Sequence, residues 1–466
     1  MSPARVAAFA ILKRLQRTAA HADLSVEGTP ELQHLDRRDR ALAVELVAGT
    51  VRRRNSLDAV LAMVSHDPLS RVRPDVVQAL RLSAYQLLYM DRVPAHAAVA
   101  EGVELVAGRG AATRGYVNAV LRRISTTGRQ TLADLGTGTS VEALAVRHSH
   151  PQWIVRLFVD ELGETPAEEL LAAGNLPPER CLRVNSLCAT VEEAQAALRE
   201  DGVVTRTVPG FEQALVYEGP ALEGTRAFST GMVTPQSRGS QLAGAVAAWH
   251  VPDDAAVADL CAAPGTKTSQ LAASLRSCDL LAVDADPGRV SALRKNLDRL
   301  QVRAVTVLEA DAGELRMRDV GQFDCVLVDA PCTGLGTLAS RPDLRWRRRL
   351  ADVQRLAALQ TSLIENAADL VRPGGTLTYS VCTLARAETL DVVAALAATD
   401  DWHLADLGAE WPQFADPRWA ACLLTLPSRH GTSGFFVARL HKSSEAGRMP
   451  LEKHPESRRR RREGTV

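Results

Sequence analysis

The spacing of hydrophobic residues separates a helical first part of the chain from the remainder. Up to about residue 125, apolar positions recur every three or four residues and strand-like alternation is almost absent, which is typical of amphipathic helices. Pro74 opens one predicted helix, since proline is tolerated in a first turn, and residues 97–107 and 116–124 form two more. We therefore predict an all-α domain over residues 1–130, followed by an exposed linker within residues 126–150, where glycine and threonine cluster.

A second region has short strand-like runs around a single helix. The runs cover residues 182–185, 203–208 and 214–217, and the helical stretch covers residues 191–199. Such a mixture of short elements predicts a small α+β domain, which we place at residues 145–232.

The third region alternates between apolar β-rich runs and amphipathic helices. The runs lie at residues 256–260, 280–283, 305–308, 325–328 and 376–379, and one of the helices lies at residues 356–371. This rhythm predicts an α/β domain over residues 233–442 with a mostly parallel sheet and helices on both faces. We expect residues 435–440 to form a late edge strand, and residues 443–466 to form a basic disordered tail.

Composition narrows the class of protein. Hydrophobic residues make up 46% and charged residues 24% of the chain, which is a globular composition. No apolar run is long enough to span a membrane, and residues 1–15 lack the organisation of a signal peptide, so we expect a cytoplasmic protein. Eight cysteines without a Cys-x-x-Cys pair argue against a disulfide framework or a metal site. Because the formal net charge is zero, nucleic-acid binding would depend on local arginine patches, at residues 341–349 and 458–462.

The ends of the first three predicted strands of the α/β region carry features of a cofactor site. The first strand leads into the run Asp259–Thr268, in which small residues and Gly265 permit close approach of a ligand. The next two strands end near Asp284 and Asp311, where carboxylates can accept hydrogen bonds from a ribose or an adenine. A nucleotide phosphate loop is excluded by its spacing. Spacing alone does not separate a methyl donor from a nicotinamide cofactor.

Two cysteines follow the next two strands, at the same rim. Cys332 comes after Asp329 and Cys382 after residues 378–381, whereas Cys325 lies within a strand and is expected to be a buried hydrophobe. The same is expected of Cys181, Cys188, Cys278 and Cys422. A reactive thiolate that adds to carbon 6 of a cytosine makes carbon 5 nucleophilic toward a sulfonium methyl group. A second thiol would assist the final elimination, and Asp329 would support the ring nitrogen.

These motifs resemble a known family, the RNA 5-methylcytosine methyltransferases of the NOL1/NOP2/Sun group. The matching runs are residues 259–265, 329–332 and 378–383, in the family's order. Residues 85–89, 94–98 and 116–123 are similar to the NusB-like helical domain of the bacterial RsmB/Sun proteins, and residues 148–153 and 182–185 resemble their middle domain. The resemblance extends to about Lys442. It implies a Rossmann-like class I methyltransferase domain, S-adenosylmethionine as cofactor and 16S ribosomal RNA as substrate.

The resemblance also implies a role for individual residues. Cys382 would be the nucleophile, Cys332 would aid product release and Asp329 would position the base. The implied donor contacts are Cys261, Ala262, Ala263, Pro264, Gly265, Thr266, Lys267, Asp284, Asp311 and Asp329. The implied RNA contacts are Arg289, Arg341, Arg345 and Arg347. The helical domain is a further candidate for RNA binding, and we expect a monomer.

Three departures from the family pattern bear on the expected donor affinity and RNA fit, and none of them touches a catalytic cysteine. The usual Gly-Gly-Lys reads Gly265-Thr266-Lys267, the usual Gln-Asp reads Gln236-Ser237, and the usual Glu-Asn reads Glu388-Thr389.

Two other functions are alternatives to this interpretation. A non-catalytic RNA-binding or ribosome-assembly factor would use the helical domain but gives no reason for two strand-end cysteines. The same chemistry on transfer RNA remains open.

Overall fold

The structure is a computed structural model that describes residues 1–17, 29–275 and 277–444. Nine α-helices form the first part of these described residues. The helices are α1 Pro3–Arg17, α2 Arg37–Arg52, α3 Arg54–Val64, α4 Pro74–Tyr89, α5 Ala95–Glu104, α6 Ala111–Leu135, α7 Val141–His148, α8 Gln152–Leu162 and α9 Glu164–Ala173. The first six enclose one apolar core, built around residues such as Leu46, Leu57, Leu80 and Leu121, which are 0% exposed. The predicted helical start of the chain is confirmed.

The expected linker at residues 126–150 is wrong. Helix α6 continues to Leu135, and α7 begins after Ser140, whose hydroxyl caps the helix by accepting a hydrogen bond from the Ala143 N–H at 3.1 Å. Thr126, Thr127 and Gly128 lie on α6, and Gly128 packs against Ile124 and Leu88, where a larger residue would clash. Only residues 136–140 connect the two helices.

A small α+β unit follows, as predicted. Its elements are β1 Cys181–Val184, α10 Val191–Glu200, β2 Val204–Val208, β3 Phe211–Glu218, α11 Arg226–Ser229 and β4 Val233–Pro235. The four strands form an antiparallel sheet in the order β2-β3-β1-β4. Helix α10 is opened by a capping box between Thr190 and Glu193, which satisfies N–H groups of the first turn.

The last part is a doubly wound α/β unit. Its strands are β5 Ala256–Leu260, β6 Asp279–Asp284, β7 Val305–Glu309, β8 Phe323–Asp329, β9 Val371–Val381, β10 Trp402–Leu404, β11 Ala415–Asp416, β12 Trp419–Thr425 and β13 Phe435–Lys442. Its helices are α12 Arg238–Ala248, α13 Thr266–Ser274, α14 Pro287–Arg299, α15 Met317–Val320, α16 Leu344–Arg347, α17 Leu350–Leu370, α18 Leu390–Ala397, α19 Leu407–Glu410 and α20 Pro427–His430. The predicted α/β fold is thereby confirmed.

The strand order places a crevice at the carboxyl end of β5. The sheet runs β11-β12-β13-β9-β8-β5-β6-β7, with β10 paired to β13. Strands β5 to β9 are parallel, and the chain passes from β5 outward through β6 and β7 before it returns to β8 on the other side. Ligands of such sheets bind where the strand order reverses. The loops after β5, β8 and β9 therefore meet at one site.

The predicted position of β13 at a sheet edge is wrong. Strand β13 lies between β9 and β12 and pairs antiparallel with both. Its residues Phe435–Leu440 are all buried, because the sheet continues beyond it through β12 and β11. The predicted tail lies, from residue 445 onward, outside the described residues. No helix of the described chain is both long and apolar enough to cross a membrane.

Candidate active site at the carboxyl edge of the sheet

The loop between β5 and α13 makes a tight turn beside β6. Cys261 has φ of +66° and Gly265 has φ of +93°, a left-handed conformation that suits glycine best. A Cβ on Gly265 would lie 2.7 Å from Leu293 Cδ1, so space also favours glycine. The N–H groups of Ala262 and Ala263 donate to Val283 O at 2.8 Å and to Asp284 Oδ2 at 3.1 Å. These bonds fasten the loop to the end of β6.

Two acidic residues expected to contact the donor lie at neighbouring strand ends. Asp284 is 4% exposed and also pairs with Arg289, whose Nη2 lies 3.2 Å from its carboxylate. Asp311 is exposed, and its Oδ1 accepts a hydrogen bond from the Gly313 N–H at 2.8 Å. The Ala310 N–H donates to Asp284 O at 3.1 Å, which brings the two acids to the same rim. Carboxylates placed in this way suit ribose hydroxyls and an adenine amino group.

Asp259 is a buried carboxylate next to residues 261–267, the donor loop, which leads from β5 into α13. It is 0% exposed, its Oδ2 accepts a hydrogen bond from the Thr268 hydroxyl at 2.6 Å, and its Oδ1 has no hydrogen-bond partner among the described residues. Burial raises the pKa of Asp259 to about 7, because a poorly solvated site disfavours the charged carboxylate. A cationic ligand would offset this cost. The position therefore fits a methyl donor with sulfonium and ammonium charges.

One carboxylate connects the donor loop to both cysteine-bearing strands. The Lys267 Nζ lies 2.6 Å from Asp329 Oδ2 although the lysine side chain is only 7% exposed. The other oxygen of Asp329 accepts a hydrogen bond from the Ser380 hydroxyl at 2.7 Å. Lys267 belongs to α13, Asp329 ends β8 and Ser380 lies near the end of β9. The expected donor site and the expected catalytic site are thus one connected cluster.

The two strand-end cysteines lie in contact. Parallel pairing sets Asp329 opposite Ser380, and the loops beyond are joined by hydrogen bonds from Ala330 N–H to Ser380 O (3.0 Å) and from Gly336 N–H to Cys382 O (2.9 Å). Cys332 Sγ lies 3.3 Å from Cys382 Sγ, and both residues are half-buried. At this separation the two sulfur atoms can share one proton.

The surroundings of the pair distinguish the two thiols. The hydrogen bond from Cys332 lowers the pKa of Cys382; Lys267 and Arg341 act in the same direction, while burial and Asp329 oppose it. The pKa of Cys332 is raised well above its usual value, first by its hydrogen bond to Cys382 and then by burial. The thiolate, which is the reactive form, is therefore favoured on Cys382.

The other cysteines have surroundings that disfavour a thiolate. Burial raises the pKa of Cys325 to about 11, and it raises that of Cys181 and Cys422 to about 12. It also raises the pKa of Cys188 and Cys278. In the donor loop, burial and the nearby Asp284 raise the pKa of Cys261 to about 12. These thiols suit packing rather than nucleophilic attack.

The expectation that Arg345 contacts RNA is wrong. Its side chain is 0% exposed, and it donates hydrogen bonds to the carbonyl oxygens of Arg52, Ser149, Gly174 and Leu338 and to Asn175 Oδ1. It joins α16 to the helical part of the chain. Of the other arginines expected to bind RNA, Arg341 is exposed, Arg347 pairs with Asp343 at 3.1 Å, and Arg289 lies at the donor rim.

Sequence reasoning missed the residue that joins the cysteine loops. Glu388 was noted only as half of a variant dipeptide, yet it is 0% exposed and accepts hydrogen bonds from both loops. An acidic residue shortly after Cys382 was the available signal. Asp259, near the end of β5, likewise had no predicted role. Its position at a strand end could have indicated one.

Family models match three consecutive parts of the chain. Residues 2–126 match the NusB family, residues 150–222 match an RsmF/B-like ferredoxin-like domain, and residues 247–441 match the 16S rRNA methyltransferase RsmB/F model. The described fold agrees with all three, since the matched parts are helical, small α+β and doubly wound α/β respectively.

Curated relatives are similar over nearly the whole chain. A Bacillus subtilis (strain 168) protein named "Probable ribosomal RNA small subunit methyltransferase B" is 32% identical over 93% of this chain and 98% of its own length. The ribosomal RNA small subunit methyltransferase B of Serratia proteamaculans (strain 568) is 31% identical over 89% of this chain and 93% of its own length. The crystal structure of PH0851 matches 94% of this chain and 99% of its own with a TM-score of 0.76 and 25% identity.

Proposed function

Because the chain belongs to the RsmB/F family of small-subunit ribosomal RNA methyltransferases, we propose that it methylates carbon 5 of a cytosine through a covalent link to Cys382. Family membership confirms the resemblance inferred from the motifs. It makes the protein an S-adenosylmethionine-dependent ribosomal RNA methyltransferase, with S-adenosylmethionine as the source of an electrophilic methyl group. The target atom and the role of each cysteine are the proposal.

One observation carries this proposal, namely two sulfur atoms 3.3 Å apart beside the donor loop. Lys267 and Asp329 link that loop to the strand ends that carry both cysteines. An enzyme that methylated a more nucleophilic atom, such as a ring nitrogen or a ribose oxygen, would need no thiol at this place. Carbon 5 of cytosine needs activation, and a thiolate supplies it.

The proposed first half-reaction begins at Cys382. Its thiolate forms a bond to carbon 6, and the electron pair of the carbon 5–carbon 6 double bond moves so that carbon 5 becomes nucleophilic. Carbon 5 then forms a bond to the methyl carbon while the methyl–sulfonium bond breaks, which leaves a neutral thioether. Asp329, held by Lys267 and Ser380, is placed to support the cytosine ring nitrogen during the attack.

The proposed second half-reaction releases the product with the help of Cys332. Its raised pKa derives first from the hydrogen bond to Cys382, which is lost once Cys382 is bonded to carbon. The Cys332 thiol can then lose its proton to solvent and accept the proton of carbon 5. The double bond re-forms, and Cys382 leaves as a thiolate.

The RNA would reach this site along basic residues. Exposed Arg341 follows the Cys332 loop and partly exposed Arg347 ends α16, which supports phosphate contacts by both. Arg289 lies at the donor rim, closer to Asp284 than to the cysteines, and is the weakest of the three candidates. The helical part is a further candidate RNA surface.

The test compares Cys382→Ala and Cys332→Ala with the wild-type protein on unmodified small-subunit ribosomal RNA. Cys382→Ala should abolish methyl transfer, because binding alone does not replace covalent activation. Cys332→Ala should attack and methylate but release slowly, and should therefore accumulate a protein–RNA adduct visible on a denaturing gel. Bisulfite sequencing would locate the product cytosine.

Cys325→Ala is the matched control, since this buried thiol lies on β8 just before the site, and it should retain methyl transfer. Loss of activity in both active-site variants without any adduct would contradict the assigned roles. Methylation of transfer RNA in preference to ribosomal RNA would contradict the proposed substrate while leaving the chemistry intact.

A further inference from the structure

Glu388 is a fully buried acid between the two cysteine loops. It ends a single 3₁₀ turn, Arg386–Glu388, that follows the Cys382 loop. Its backbone carbonyl accepts a hydrogen bond from the Tyr379 hydroxyl at 2.7 Å, and its side chain is 0% exposed. Family membership shows that the protein is a methyltransferase, but it assigns no role to the Glu388 carboxyl group.

The Glu388 carboxylate collects hydrogen bonds from the residue that follows each cysteine. Oε1 accepts from the Thr333 N–H at 2.8 Å and from Gln360 Nε2 at 3.1 Å. Oε2 lies 2.5 Å from the Thr333 hydroxyl and 3.1 Å from the Thr383 hydroxyl. The two hydroxyls are themselves 3.0 Å apart. The carboxylate therefore bridges the Cys332 loop and the Cys382 loop.

The donors around Glu388 favour its ionised form. The Thr333 N–H and Gln360 Nε2 can only donate, so both stabilise negative charge on Oε1. Burial raises the pKa of Glu388, and the hydrogen bonds from Thr333, Gln360 and Thr383 oppose that rise. Glu388 is bonded to Thr333 through both its N–H and its hydroxyl, but to Thr383 through its hydroxyl alone. A negative charge at this position adds to the raised pKa of Cys332, after the hydrogen bond to Cys382 and burial.

Opposite charges flank the other sulfur atom. Lys267 and Arg341 lower the pKa of Cys382, whereas Asp329 raises it. Tyr379 is buried and its pKa is raised well above its usual value, first by burial, so it stays neutral. Cys332 thus has the Glu388 carboxylate nearby, whereas Cys382 has two cations and one carboxylate, and Glu388 also joins both loops by hydrogen bonds.

We propose that Glu388 is the positioning residue that holds the two sulfur atoms together and reserves the single thiolate of the pair for Cys382. This inference rests on the proposed function, because it explains how one of two adjacent thiols becomes the nucleophile. Glu388 acts through the cysteines and does not touch the substrate.

The test measures thiol reactivity, which needs neither RNA nor methyl transfer. Wild-type protein is treated with limiting iodoacetamide between pH 6 and 9, and the alkylated cysteines are counted by mass spectrometry. Cys382 should react first. Glu388→Gln, which removes the charge but keeps the size, should shift the ratio of Cys382 to Cys332 labelling toward Cys332 by about tenfold, the effect of one pKa unit.

Glu388→Asp distinguishes the effect of the negative charge from the effect of the hydrogen bonds to the two threonines. It retains the carboxylate but withdraws it from the threonines, so it should preserve the preference for Cys382 while lowering kcat. Asp324→Asn is the matched control, because this carboxylate lies at the opposite end of β8 and pairs with Arg372; it should change neither the labelling ratio nor kcat. Should Glu388→Gln fail to fold, Thr333→Val removes one bridge and should produce the same shift more weakly.

The outcomes separate the two proposals. An unchanged labelling ratio in folded Glu388→Gln, or equal shifts in the Gln and Asp variants, would overturn the role of Glu388 even if the wild-type protein methylates RNA. A shifted ratio in Gln alone, together with an absence of cytosine methylation by wild-type protein, would support the role of Glu388 and refute the proposed function.

Discussion

At the scale of single residues, a carboxylate can oppose folding and still support ligand binding. Asp259 is buried with one oxygen unpartnered among the described residues, and its pKa is raised to about 7. In the unfolded chain its carboxyl group ionises near pH 4. Between these two pH values the folded state holds a proton that the unfolded state has released, so stability falls as pH rises through this window. Above about pH 7 the loss is complete.

Asp259→Asn should remove this dependence. The difference in unfolding free energy, variant minus wild type, should increase between pH 4 and pH 7 by at most about 4 kcal/mol and then level off. Burying an amide adds a cost that does not vary with pH and leaves the slope unchanged. Urea unfolding at several pH values, without methyl donor, measures the difference.

Donor binding by the wild-type protein should depend on pH in the opposite direction to its stability. Wild-type affinity for S-adenosylmethionine should tighten as pH rises through about 7, because the ionised carboxylate attracts the cationic donor, and Asp259→Asn should bind weakly with little pH dependence. Isothermal titration calorimetry measures both. Asp254→Asn, an exposed position before the same strand, serves as control. A variant that binds like wild type at pH 8 would rule out this electrostatic attraction.

At the scale of secondary-structure elements, three helix ends converge on one buried cation. Arg345 donates to the carbonyl oxygen of Arg52, the last residue of α2, and to those of Ser149 and Gly174, the C-caps of α7 and α9. Helix C-termini carry partial negative charge and unpaired carbonyls. These groups compensate for burial, which lowers the pKa of Arg345.

Arg345→Met should destabilise the protein by about 3–5 kcal/mol, because it leaves several buried carbonyl groups without donors. Arg345→Lys should be intermediate, since an ammonium cannot reach every acceptor. Chemical denaturation measures both. Arg347→Ala, in which a partly exposed ion pair with Asp343 is lost, should cost less than about 1 kcal/mol while weakening RNA binding. Equal losses of unfolding free energy in Arg345→Met and Arg347→Ala would refute the view that Arg345 is structural and Arg347 is not.

The same elements indicate what the sequence could predict. Strands β5 to β9 can be recognised because each contains an apolar β-rich run and is followed by a helix, which is a local pattern. The position of β13 inside the sheet depends on pairing with β9 and β12, which its own residues do not encode. Arg345 looked like part of a basic patch because its partners lie far away in the chain. The cysteine pair could be predicted, since parallel strand ends share one rim.

At the scale of the whole molecule, the helical part supports the segment that follows Cys332. The Arg52 Nη2 donates to Ala339 O at 3.2 Å, and Trp346 Nε1 donates to Val51 O at 2.7 Å. The guanidinium of Arg54 lies 5.3 Å from the Trp346 ring. Asp284 and Asp311, the two acids expected to contact the donor, lie beyond β5, on the other side of the switch point. We therefore expect the packing of the helical part to influence the Cys332 loop strongly and the affinity for the donor only weakly.

Trp346→Phe tests this division, because it keeps an aromatic ring but removes the hydrogen bond to Val51. Losing this hydrogen bond should lower the free energy of local opening by about 1 kcal/mol, so the amides of residues 332–349 should exchange about fivefold faster. It should also lower kcat and leave donor affinity unchanged. Hydrogen-exchange mass spectrometry, steady-state kinetics and donor titration measure these effects. Trp411→Phe, which alters a ring packed against Trp249 instead, should leave exchange at residues 332–349 unchanged. Faster exchange spread evenly over the sheet would indicate general destabilisation, whereas a change confined to residues 332–349 would tie the helical part to the Cys332 loop.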